Sequence, residues 1–230
     1  MDAPPLRYFN PFAQIQKTAN SLPHWQQSGA AYFITFRLAD AIPMVLRKRW
    51  QEEREIWRRL HPPPWSATVE HDYHQRFSGQ MDAWMDEASG ACELREAECR
   101  RVLCEVFEHS HAGPYWLHAY VVMPNHAHLL FSLATEAKLE KEIAAWKSVS
   151  ARRINQQLRR SGTLWQEDYF DRLIRDEDHF ANCVRYIRAN PAKARLRPAD
   201  YTHFESELAT SFTPVRVAEV VVKSQDSPAR

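Results

Sequence analysis

The sequence predicts an α+β fold, an antiparallel sheet covered by helices. Three observations carry this: residues 31–38 alternate in polarity as a half-buried strand does, residues 116–123 and 126–133 alternate again with only Pro124-Asn125 between them, and the flanking stretches repeat at helical spacing. So short a link leaves no room for a crossover, and the second and third strands pair as a hairpin.

In the first strand Tyr32, Ile34, Phe36 and Leu38 share one face, with Thr35 and Arg37 on the other. A helix follows over 43–60, carrying Val45, Leu46, Trp50 and Trp57 among charges, and stops at Pro62-Pro63-Pro64, which removes backbone donors. Residues 73–88 read as a second helix ending near Ser89-Gly90. A third covers 93–109, where Leu94, Val102, Leu103, Val106 and Phe107 form a broad apolar stripe. After the turn at His111-Ala112-Gly113-Pro114 and the hairpin comes a long helix, Ala137 to Arg160, basic in its second half and broken by Ser161-Gly162. A short strand within 165–174 leads to Asp176, an N-cap followed by Glu177 and Asp178, and to a helix that runs to Asn190 before Pro191. Beyond about residue 205 no pattern is legible. One domain over 22–200, with a helical insertion at about 60–110, an N-terminal arm at 1–21 and a C-terminal tail at 201–230, accounts for this order.

The chain has 230 residues, 44% of them hydrophobic, enough for one sizeable core, and its five glycines exclude a low-complexity or linker-rich chain. Cys92, Cys99, Cys104 and Cys183 show no CxxC spacing; the first three fall on one amphipathic helical stretch as small buried residues, which fits a reducing compartment. Neither a signal-like apolar segment at the start nor a membrane-length apolar run is present, so a soluble cytoplasmic protein is expected. The net charge of +1 conceals a division: residues 52–109 hold 7 Lys/Arg against 13 Asp/Glu, and residues 143–197 hold 12 against 6. A basic second half suits a polyanion, and equally suits solvated Arg-rich faces.

Two clusters carry chemistry. In the strand from His126, a period of two sends Ala127, Leu129, Phe131 and Leu133 to one face and His126 and His128 to the other, about 7 Å apart along the backbone, from where two rings can converge on one cation. Taken alone, the pair equally fits two histidines satisfied by neighbours. On the last helix Phe180, Val184 and Ile187 form the buried stripe, with Cys183 at its edge, and His179, Tyr186 and Asn190 line one flank. A phenol with a carboxamide one turn later makes a site if the sheet presents the histidines there. Otherwise Tyr186 is a core-margin residue and Asn190 a helix end.

The run Tyr120 through Pro124-Asn125-His126-Ala127-His128-Leu129-Leu130, then Trp165-Gln166, Arg175 and Tyr186-Ile187-Arg188-Ala189-Asn190-Pro191-Ala192-Lys193, resembles the REP-associated tyrosine transposases, relatives of the single-tyrosine insertion-sequence transposases. Leu22-Pro23-His24-Trp25, the strand from Ala31 to Ala39 and Gly90-Ala91-Cys92-Glu93-Leu94 extend the likeness over roughly 22–200. Ala127 departs from it, being smaller than the hydrophobe usual between the two histidines of this HUH motif.

The resemblance implies a ferredoxin-like antiparallel sheet packed by helices, and a transposase that cleaves single-stranded DNA beside repeat hairpins and transfers the strand. Residue by residue it implies His126, His128 and Asn190 as ligands of a divalent metal ion, Mg²⁺ or Mn²⁺, and Tyr186 as the nucleophile that forms a 5′-phosphotyrosine link. Lys147, Arg152, Arg153, Arg172 and Arg175 are candidate DNA backbone contacts, and each equally fits a solvated surface charge. Trp165 is expected in the core rather than stacked on a base. Two further readings stay open: a metal-dependent phosphodiesterase in which water attacks, and a catalytically idle or host-adopted hairpin-binding protein. The sequence fits a monomer and a homodimer alike.

Overall fold

A computed structural model describes residues 5–19, 23–62, 65–87 and 89–213. The first residues of the expected arm, Leu22 of the opening motif, Pro63-Pro64 and residues 214–230 of the tail lie outside the described residues.

The main sheet has the strand order β6-β3-β5-β4-β7, every pairing antiparallel: β3 is Ala31–Arg37, β4 Tyr115–Val122, β5 His126–Leu133, β6 Phe170–Leu173 and β7 Thr202–Glu205. Helix α4 (Ala97–His109) joins β3 to β4 after a helical excursion, and α5 (Leu139–Gln157) joins β5 to β6. The succession β-α-β-β-α-β with the last of these strands beside the first is the ferredoxin-like arrangement. β1 (Gln16–Ala19), in the expected arm, and β2 (Pro23–Gln26), at the start of the expected domain, form a separate ribbon.

The alternation in the strands divides the core in two. Tyr32, Ile34, Phe36, Ala127, Leu129 and Phe131 face α4 and α5, meeting Leu103, Phe107, Ile143 and Trp146. On the opposite face Phe33, Val121 and Leu130 meet Phe180, Val184 and Ile187 of α6 (Glu177–Lys193), with α7 (Glu207–Phe212) alongside. Apolar side chains on both faces make β3, β4 and β5 buried almost throughout. Ala127 is fully buried, opposite Phe36 and Val122.

Several elements differ from expectation. The helices that stand off the sheet are α1 (Met44–Leu60), α2 (Ala67–Tyr73) and α3 (Gly79–Asp86), whereas α4, inside the stretch 60–110 expected as an insertion, packs on the sheet. The single helix expected over 73–88 is interrupted by a π turn at His74–Ser78, whose Phe77 carbonyl accepts from Trp50 Nε1 at 3.2 Å. Cys92 sits in a left-handed turn before α4 (φ 53°) rather than on it, although all four cysteines are buried as expected. Helix α6 continues through Pro191 to Lys193. So near the helix end, proline removes one donor only, and the carbonyls of Asn190 and Pro191 still accept from Ala194 and Leu196. The stretch set aside as a tail supplies β7 and α7: Arg188 of α6 pairs with Glu205, and Ala209 is buried against α6. Among the described residues no helix is long and apolar enough to cross a membrane.

Candidate functional site

His126 and His128 lie on the α6 face of β5, opposite Arg37 and Thr35 of β3. Both are 1% exposed, and their ring centroids are 4.7 Å apart. Each Nδ1 is engaged. That of His126 lies 2.7 Å from Asn125 Oδ1, and that of His128 lies 2.7 Å from Thr35 Oγ1. Asn125 is itself oriented, because its Nδ2 donates to the carbonyls of Met85 and Ser89 at 3.3 Å each, which leaves Oδ1 for the imidazole. A carboxamide oxygen only accepts, so the hydrogen of His126 sits on Nδ1 and Nε2 presents a lone pair. The Thr35 hydroxyl, which can accept as well as donate, engages His128 Nδ1.

Both Nε2 atoms are buried without a protein partner, as is the carboxamide Nδ2 of Asn190, a residue 2% exposed. Burial, with Arg37 and Lys193 adding repulsion, pushes the His126 imidazole down to about 3. His128 is held well below the ordinary histidine range by burial and then by His126, Arg37 and Lys193. Two buried imidazoles with Nδ1 engaged and Nε2 unsatisfied form a donor set that could hold a cation. Asn190 fits such a group as well, since its carboxamide can present oxygen as readily as nitrogen.

Tyr186 comes from α6. Its ring stands edge-on to His128, centroids 5.1 Å apart, and to Phe33 at 5.7 Å. Asn190 follows one helical turn later, and Lys193 of the same helix pairs with Asp86 of α3 at 3.0 Å. The structure therefore brings Tyr186 against the histidine pair and buries Asn190 on the same helix.

Tyr186 is half-buried and borders a cleft of about 1290 Å³ between the sheet edge and the helices α1–α3. Arg47, Arg54 and Arg58 of α1 line one side, and Arg37 of β3 lines the other. These arginines were not among the basic residues singled out from the sequence; the placement of Arg37 on the polar face of its strand was the one available signal. Of those that were, Arg172 lines the cleft and Arg175 precedes α6. Lys147, Arg152 and Arg153 lie on α5, across the sheet from α6. There Lys147 donates to the Glu167 carbonyl, Arg153 pairs with Glu105, and Arg152 is exposed. Trp165 is a core residue, edge-on to Phe36 at 4.7 Å, with Nε1 donating to Ser150 Oγ.

A ferredoxin-like sheet that presents two inward imidazoles to a tyrosine on a neighbouring helix defines a class of site before any comparison is made. Residues 93–190, the segment that holds His126, His128, Tyr186 and Asn190, match the family model described as Transposase IS200 like. No curated protein matches the chain. Among solved structures, one described as a REP-associated tyrosine transposase bound to a REP hairpin is 16% identical, covering 76% of this chain and 74% of that one at a TM-score of 0.42. A putative transposase from Deinococcus radiodurans R1 is 13% identical, covering 80% of this chain and 98% of that one at a TM-score of 0.33. Both likenesses are too loose to carry a functional assignment.

Proposed function

We propose that the protein cleaves and rejoins single-stranded DNA beside repeat hairpins, with Tyr186 as nucleophile and a divalent ion, Mg²⁺ or Mn²⁺, held by His126, His128 and Asn190. The observation that supports this best is the pair of buried, partnerless Nε2 atoms, with the Tyr186 ring edge-on to that of His128 at 5.1 Å. The ion would supply positive charge to the scissile phosphate, which three neutral ligands leave largely undiminished.

In the forward step the Tyr186 oxygen forms a bond to phosphorus and the bond to the 3′ oxygen breaks. The phenol's proton leaves to solvent and the departing oxygen takes one up as a 3′-hydroxyl. The 5′-phosphotyrosine conserves the phosphodiester bond, so the 3′-hydroxyl of another strand can reverse the step. The hairpin as target follows from the family resemblance. The open cleft beside Tyr186, with arginines on both sides, suits a strand whose bases are unpaired.

The test is incubation of the protein with Mn²⁺ and labelled single strands from the repeats around its own gene, read on denaturing gels. A slower protein–DNA adduct that disappears in Tyr186→Phe is expected. Cleavage with no adduct would mean that water attacks, and binding with neither would mean a hairpin binder without chemistry.

A further inference from the structure

One wall of the cleft carries polar atoms that no protein group answers. Gln166 is 9% exposed and its buried Nε2 has no partner. Asp168 Oδ1 and His179 Nε2 are buried and likewise unmatched, and all three residues line the cleft that Tyr186 borders.

The chemistry differs from one end of the wall to the other. The Gln166 backbone N–H donates to the Arg37 carbonyl at 2.9 Å, which pins this residue to the end of β3 beside the histidine row. Its carboxamide Nε2 is an unmatched donor in this wall, and Asp168 offers only acceptor oxygens. A phosphate carries acceptors alone and is repelled by Asp168. A nucleobase edge presents an acceptor next to a donor, as adenine N7 and N6 do, and answers both. Farther along, His179 Nδ1 accepts from the Arg175 backbone N–H at 3.1 Å, so its ring hydrogen sits on the unmatched Nε2. Arg172 and Arg175 lie close enough to act on this ring electrostatically, and Arg172 stands opposite Phe33, the residue that touches both His128 and Tyr186. A donor-only histidine beside arginines suits a phosphate.

We propose that this wall is a strand-reading subsite: Gln166 and Asp168 hold the edge of one unpaired base flanking the cleaved position, and His179 with Arg172 grips a phosphate further along the same strand. This rests on the DNA-cleaving function proposed above and adds to it a direct reading of sequence by protein side chains. Gln166, Asp168 and Arg172 lie on β6 and the segment before it, two strands from the histidines of β5, or about 10 Å across the sheet, and His179 lies in the first turn of α6.

The probe is a pool of hairpin oligonucleotides with randomised single-stranded flanks, bound in Mn²⁺ by the Tyr186→Phe protein and sequenced after selection. Expected is a base preference at one flank position. Gln166→Leu with Asp168→Asn should lower that preference about tenfold and leave the salt dependence of binding unchanged. Asp168→Asn alone, which preserves shape, should alter which base is chosen. Arg172→Gln should weaken every oligonucleotide alike and reduce the salt slope by about one. A flank without preference, or a preference untouched by the double variant, overturns the subsite; if wild-type adducts still form, the proposed chemistry survives. Failure of the protein to bind any hairpin or flank overturns both.

Discussion

At the scale of single residues the site depends on side chains that never meet substrate. Asn125 fixes the His126 tautomer with its oxygen and is itself fixed by the carbonyls of Met85 and Ser89. Asn125→Ala should therefore weaken Mn²⁺ binding by roughly 10–100-fold, measured calorimetrically without DNA. Asn125→Asp keeps an acceptor for His126 and should retain more of that affinity; equal losses in the two variants would contradict the assignment. A different histidine governs stability. His118 is buried, with Nε2 2.8 Å from Ser132 Oγ, and burial first, then His111, lowers it from 6.5 to about 4. The folded value is the depressed one, so its contribution is complete above about pH 6.5 and is lost as pH falls through about 4. Near pH 5 the loss is about 2 kcal/mol, and His118→Gln should remove roughly that much of the difference between urea-unfolding free energies at about pH 7.5 and about pH 5.

At the scale of elements, the excursion α1–α3 is tied to the site by its return. Gly90 has φ +88°, and a Cβ there would stand 2.7 Å from the carbonyl oxygen and carboxyl carbon of Asp40, whose carboxylate accepts from Ala91 N. Gly90→Ala should cost about 2 kcal/mol or more in chemical denaturation. It should also weaken Mn²⁺ binding, because Ser89 beside it supports Asn125. Strands β3, β4 and β5 were legible in the sequence because their period-two pattern is strong and both faces are buried. The facing of His126 and His128 away from Ala127 and Leu129 followed from the same period. The flank shared by Tyr186 and Asn190 followed from helical spacing. What stayed illegible depends on distant partners: β7 and α7 are short, partly exposed elements held by Arg188 and the α6 face. The π turn at His74–Ser78 answers a tryptophan on another helix, and the cleft exists only where α1 meets the sheet edge. No local pattern announces any of these.

At the scale of the whole molecule, the two layers of helices do separate work. Helices α4 and α5 close one apolar face of the sheet, while α6 closes the other and carries the proposed nucleophile to it. Opposite α6, the arginines of α1 face the sheet edge across the cleft, so a bound strand would touch both the excursion and the sheet. The proposed nucleophile and the last proposed ligand lie on one helix, and that helix packs on the very sheet that carries the histidines, within a single chain. Nothing has to be borrowed from a second copy. The yield of adduct per molecule should then be independent of dilution, with the initial rate rising in direct proportion to protein concentration when labelled strand is in excess. A rate that climbs with the square of concentration would mean that Tyr186 works on a neighbour's histidines instead.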